Sequence, residues 1–141
     1  MNRAQREKLT AMVSQPVQWQ CDLARFTSFA IGGPAEAVVS IHYLHELQPL
    51  LDFFGKDKIP WLVIGKGTNL LVCDAGFPGV ILRLGGEFVA VSEEVCDNGS
   101  IIVRVGAGAS LARLSRRCAE RGYAGLEFAC GIPGTVGGAV G

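Results

Sequence analysis

A mixed α/β fold is predicted, with a parallel strand–helix–strand half followed by an α+β half richer in hairpins. Three observations carry it. Strand-like, helix-like and strand-like segments succeed one another between Ala35 and Ile64, and a crossover through a helix joins parallel strands. After Val72 the texture changes to short apolar runs separated by Gly85-Gly86 and by Asp97-Asn98-Gly99-Ser100, the second a strong hairpin signal. Nineteen of the 141 residues are glycine, roughly twice the usual share of about 7%, without the period of collagen. At about 150 residues per domain the length fits one domain.

Asn2–Ser14 has helical spacing at Leu9, Met12 and Val13 and reads as a short leading helix that Pro16 ends. Val17–Leu23 reads as extended. A loop with paired glycines, Arg25–Pro34, leads into a β-prone run, Ala35–Ile41. Leu44, Leu47, Leu50, Leu51 and Phe54 share a helix face. Pro49 costs a helix interior about 3 kcal/mol, which predicts a late start or a kink, and Gly55 is placed to end the helix. Ile59–Ile64 reads as a buried strand that runs into Gly65-Lys66-Gly67-Thr68-Asn69, with Leu70-Leu71-Val72 continuing beyond. In the second half, Val80–Leu84, Phe88–Ser92 and Ile101–Val105 are predicted strands. Gly106-Ala107-Gly108-Ala109 leads into a helix capped by Ser110, with Leu111, Leu114, Cys118 and Ala119 inside and Gly122 as its stop. The last segment, Gly125–Gly141, is again rich in glycine.

Composition excludes several classes of function. Thirteen basic and thirteen acidic side chains cancel, so the basic excess of a nucleic-acid binder is missing. No apolar run approaches the roughly 20 residues of a membrane helix, and Met1–Ser14 lacks the apolar core of a signal peptide. The five cysteines are scattered, without C-x-x-C pairs or zinc spacing, which fits free, mostly buried thiols in the cytoplasm. His42 and His45 read as surface residues, and no metal site is expected.

Three loops carry the functional signal: Gly65–Asn69, Gly106–Ser110 and Gly131–Gly138. Without a β-carbon, backbone N–H groups can approach a ligand closely, and successive N–H groups form an anion nest. Glycines in a single loop need serve only a turn, but three such loops point to a diphosphate. The standard nucleotide motifs fail. A P-loop would need glycine at Pro60 and serine or threonine at Gly67, and G-x-G-x-x-G from Gly65 or Gly106 meets Leu70 or Leu111. Lys66 is placed either to neutralise phosphate or to sit solvated at a loop tip. Glu127 either accepts a bond from a ligand or caps a backbone turn. No catalytic constellation is present.

Phe26-Thr27-Ser28-Phe29-Ala30-Ile31-Gly32-Gly33-Pro34-Ala35 resembles the T-x-F-x-I-G-G-P-A signature of the bacterial UDP-N-acetylenolpyruvoylglucosamine reductases, the MurB family. Val63–Val72 is similar to that family's G-x-G-S/T-N-L-L-V flavin diphosphate loop. Gly125–Phe128 with Gly131–Ala139 is similar to its G-L-E-F/W and G-I-P-G-x-V-G-G-A segment. The motifs stand in family order and span Phe26 to Ala139.

The resemblance implies a PCMH-type FAD-binding domain, two small α/β subdomains with the cofactor between them, over 17–141 after an N-terminal helical segment 1–16. It implies non-covalent FAD, since residues 65–72 hold no histidine for attachment. Ile64, Gly65, Lys66, Gly67, Thr68, Asn69, Leu70 and Leu71 would bind it together with Gly131, Ile132, Pro133, Gly134, Val136, Gly137, Gly138 and Ala139. Ala107, Gly108 and Ala109 would assist, and Glu127 is the further candidate. The implied reaction uses NADPH to reduce FAD, which reduces the enolpyruvyl ether of a UDP-amino sugar in peptidoglycan precursor synthesis, a process tied to cell shape and division. The family's catalytic arginine, serine and glutamate lie downstream of the last glycine segment, so no catalytic residue is assigned. The chain is expected to be truncated, without its substrate domain and without turnover alone, and to self-associate. The competing readings are another flavin oxidoreductase of the same fold and a non-catalytic nucleotide-binding remnant.

Overall fold

In the computed structural model, which describes residues 1–141, the chain opens with α1 (Arg3–Met12). Asn2 and Gln5 bond reciprocally across its first turn, each at 2.9 Å, satisfying two of the donors a helix start leaves free. Then follow β1 (Gln18–Asp22), a 3-10 turn (Leu23–Phe26), β2 (Pro34–Ile41), α2 (Leu44–Asp57), β3 (Trp61–Ile64) and β4 (Phe77–Leu84). The four strands form one sheet in the order β1-β2-β4-β3. β1 runs antiparallel to β2, whereas β2 and β3 both run parallel to β4.

The strands flanking α2 are thus parallel, as the crossover requires, but they are not neighbours. The run Val80–Leu84, expected in the second half, begins at Phe77 and lies between them. Its continuous apolar stretch suits the position, because a central parallel strand is covered on both faces. Val80 and Leu82 face one side and Ile81 the other, all at 0–1% exposure. β3 takes the edge instead, so the expected burial fails there: Trp61, Leu62 and Val63 are each 42% exposed. Leu70–Val72 lies outside any strand.

One face of the sheet (Ala37, Val39, Ile41, Val80, Leu82) packs under Leu9 of α1 and Leu50, Phe53 and Phe54 of α2. The leading helix therefore shares the main core. The other face carries Val38, Ile64 and Ile81 beneath Leu23, Phe26, Leu70 and Val72. A register shift between Ala35 and Ala37 lets Ala35 join this second face.

α2 starts at Leu44 despite Pro49, so neither a late start nor an end at Gly55 is found. Pro49 and His45, whose carbonyl loses its partner, are both exposed, so water can bond that carbonyl. The cost of about 3 kcal/mol is outweighed by burial of Leu50, Phe53 and Phe54, worth roughly 1.5–3 kcal/mol each. Gly55 faces open space. Lys58, left-handed at φ 52°, supplies the stop instead. Near the helix start the buried Glu46 carboxylate accepts the N–H groups of Ser14 at 2.7 Å and of His42 and Tyr43 at 3.1 Å. Burial pushes its pKa up, but the bonds from Ser14, Tyr43 and His42 outweigh that and hold it below its ordinary value.

The second half holds β5 (Val91–Val95), β6 (Ile101–Val105), α3 (Leu111–Glu120) and the short α4 (Val136–Val140). The predicted strand over Phe88–Ser92 begins only at Val91, because a 3-10 turn at Gly86–Val89 precedes it. β5 and β6 pair as the expected hairpin, with Gly99 at φ +78° and the Asn98 carboxamide accepting the Ser100 N–H at 3.0 Å. Leu111, Leu114 and Cys118 of α3 pack on Val91, Val103 and Val105, while Ala119, expected inside, is exposed. Glu93 ties α3 to β5, accepting from Arg117 Nε and Tyr123 Oη at 2.9 Å and pairing with Arg121. Desolvation pushes the Glu93 pKa up, but the bonds from Tyr123 and Arg117 and the charge of Arg121 bring it below the usual range.

Candidate functional site

β3 delivers the chain to Gly65 at the carboxyl end of the parallel strands, where open α/β sheets hold their ligands. The loop that follows is fixed from outside. The Gly67 carbonyl accepts the Ser28 N–H at 3.0 Å, Lys66 Nζ donates to Ser110 Oγ at 2.8 Å, and Thr68 Oγ1 reaches the Pro133 carbonyl at 3.5 Å. The N–H groups of residues 65–70 donate to no acceptor in the protein. Six successive unpaired donors in a well-fixed loop form a surface for an anion.

The other two glycine loops are stitched to each other. Gly137 N–H donates to the Ala107 carbonyl at 2.8 Å, Val136 N–H to Ala109 at 2.9 Å, and Leu111 N–H to Gly134 at 3.2 Å. Thr135 stands where they meet the first loop. Its hydroxyl caps α4 by accepting Gly138 N–H at 3.2 Å, and a β-carbon on Gly65 would lie 2.4 Å from it. Glycine at 65 is thus what allows the loops to touch.

The result is a cleft with two lobes on either side of Gly65–Lys66. The larger, about 540 Å³, is bounded by Ile64, Gly65, Lys66, Gly67, Thr68, Asn69 and Leu70 on one wall and by Ile132, Pro133, Gly134, Gly138 and Ala139 on the other. The smaller, about 350 Å³, adds Ala107, Gly108, Gly137 and Arg83. Lys66 and Arg83 line it, and no aspartate or glutamate lines either lobe. A cleft with two cations, unpaired N–H groups and no carboxylate favours a dianion.

Five of the sequence-predicted residues stand elsewhere. Leu71 is 73% exposed and Gly131 is exposed, both outside the lobes, and Ala109 is buried behind the wall. Val136 faces an apolar groove on the second half. Glu127 also lies outside the lobes, and its carboxylate accepts the Gly125 N–H at 2.8 Å, the turn-capping alternative. The cleft also includes residues the sequence reading did not select: Thr135, Arg83, Val63 and Leu62. Thr135 had a signal, a threonine before a glycine-rich helix start, whereas a lone arginine on a strand has none.

Comparison with known proteins gives the family of the chain. A family model described as "FAD binding domain" matches residues 35–141. The chain is 44% identical over 133 residues to UDP-N-acetylenolpyruvoylglucosamine reductase 2 of Symbiobacterium thermophilum, covering 93% of this chain and 42% of the relative. It is 43% identical over 135 residues to the corresponding reductase of Syntrophus aciditrophicus, covering 96% of this chain and 43% of the relative. The crystal structure of UDP-N-acetylenolpyruvylglucosamine reductase (MurB) from Thermus caldophilus superposes with a TM-score of 0.67 at 35% identity, over 89% of this chain and 40% of that one. The chain thus spans about two fifths of the length of these relatives.

Proposed function

The chain belongs to the FAD binding domain family, and from that premise we propose that it forms the cofactor-holding portion of an NADPH-dependent reductase acting on UDP-N-acetylenolpyruvoylglucosamine. The observation that carries the reading is the run of unpaired N–H groups at residues 65–70, in a cleft with Lys66 and Arg83 and without a carboxylate. These N–H groups hold the cofactor's diphosphate, as successive backbone donors do for phosphates. Ile64, Leu70, Ile132, Pro133 and Ala139 give the larger lobe the apolar surface a flat ring system requires. When bound, FAD supplies hydride transfer. This chain's residues bind and orient it, and no histidine in residues 65–72 could attach it covalently.

Turnover is not expected from these 141 residues alone, which span about two fifths of the length of the reductases they match and bring no carboxylate, histidine or tyrosine into the cleft. NADPH as the reductant and the nucleotide sugar as the substrate belong to the same proposal. A cytoplasmic location is proposed from the five free thiols. No helix is long and apolar enough to cross a membrane.

The test is chromophore identification. The gently purified protein is expected to be yellow, or to become so with added FAD, and to release FAD on acid treatment. A colourless protein that takes up no FAD overturns the reading.

A second expectation concerns the groove on the second half, about 700 Å³ and lined by Val103, Val105, Leu111, Leu114 and Leu126. Phe128 and Val140 stand beside it at 76% and 84% exposure. Apolar surface of this kind drives association, so light scattering after size exclusion should give a mass above the monomer as concentration rises. A monodisperse monomer at high concentration would contradict it.

A further inference from the structure

We infer that Arg83 is a specificity-determining residue for the cofactor, its guanidinium taking a phosphate of the diphosphate and so distinguishing a dinucleotide from an uncharged flavin. The inference rests on the FAD reading above. Arg83 occupies the carboxyl end of β4, the central strand, with Ile64 of β3 and Ser40 of β2 as its partners in register. It stands two residues beyond Ile81, on the face that carries Ile64 and Phe26. The guanidinium lies over the Phe26 ring at 5.0 Å, which orients its plane.

It makes no ion pair or hydrogen bond within the protein, yet its nitrogens are not among the buried atoms left without a partner. Five N–H donors therefore remain available in the smaller lobe, beside Lys66. Lys66 Nζ already spends one donor on Ser110. The two phosphates of a dinucleotide carry two negative charges, and the cleft offers two cations. A planar fork matches phosphate oxygens in pairs, which an ammonium does not.

The experiment is a titration of the protein, Arg83→Gln and Arg83→Lys with FAD and with riboflavin at two salt concentrations, with thermal melting of each. Arg83→Gln should lower FAD affinity by about 10- to 100-fold and flatten its salt dependence, while leaving riboflavin affinity and melting unchanged. Arg83→Lys should recover part of the loss. If Arg83→Gln does not fold, Arg83→Lys gives the answer: a fall of about tenfold for FAD alone supports the assignment. Equal losses for FAD and riboflavin would overturn it, because the arginine would then serve the ring or the fold. Unchanged FAD binding in the variants overturns this inference alone. Failure of the parent protein to bind FAD overturns the reading beneath it as well.

Discussion

Gly67→Asp is expected to leave the protein colourless, with FAD affinity reduced more than about 100-fold, near the 3 kcal/mol scale of losing several charge-assisted bonds. Two effects act together. Gly67 sits at φ +64°, and a β-carbon there would lie 1.9 Å from the Phe26 carbonyl oxygen and 2.9 Å from its carbon. The obstacle is backbone, so the loop itself must move, releasing the 3.0 Å bond from Ser28 and turning its donors. The carboxylate then adds negative charge to the loop whose donors must hold the diphosphate. Gly67→Ala separates the two effects, retaining the clash without the charge, and should lose less. Fluorescence titration with FAD measures both, and binding by Gly67→Asp equal to that of the parent would refute the nest.

The loops were legible because glycine is a conspicuous mark: a left-handed φ at Gly67 or a close approach at Gly65 excludes other residues, and the sequence records that exclusion. The parallel direction of β2 and β3 was legible from the helix between them. Their separation by β4 was not, since Pro78 and Gly79 disguise the start of that strand and strand order is decided by packing on both faces. Gly55 misled for a related reason. A glycine can end a helix, but here Phe53 and Phe54 hold the turn against the core, and the chain continues to Lys58. Arg83 owes its position to pairing across strands, which no local pattern encodes, whereas Thr135 is marked locally as the cap of a helix start.

Glu46→Gln is expected to destabilise the fold by about 2–4 kcal/mol at neutral pH, the scale of unmaking charge-assisted bonds to buried backbone donors. One carboxylate on α2 ties down two other segments: Ser14 after α1, and His42 and Tyr43 between β2 and α2. Glutamine keeps one acceptor and turns an NH₂ toward at least one of those N–H groups. The pH dependence carries a sign. The pKa of Glu46 is lowered from 4.5 in the folded protein, so its contribution is fully present above that unfolded value and is lost as pH falls through the folded one. Urea unfolding at pH 7 and pH 3 should therefore show a gap between parent and variant that narrows in acid. A gap independent of pH would assign the effect to packing.

The place of β4 also sets an order of assembly. It is the last strand of its sheet to leave the ribosome, yet both β2 and β3 take it as their parallel partner. Until it arrives, the nascent chain holds two unsatisfied edges facing one gap, the kind of half-built sheet that pairs with the wrong neighbour. The loop at residues 65–70 lies in the segment between β3 and β4. Closure of the sheet is thus the event that fixes both ends of that segment, and a chain stalled before Phe77 would carry Gly65 and Gly67 without the geometry that makes them a site.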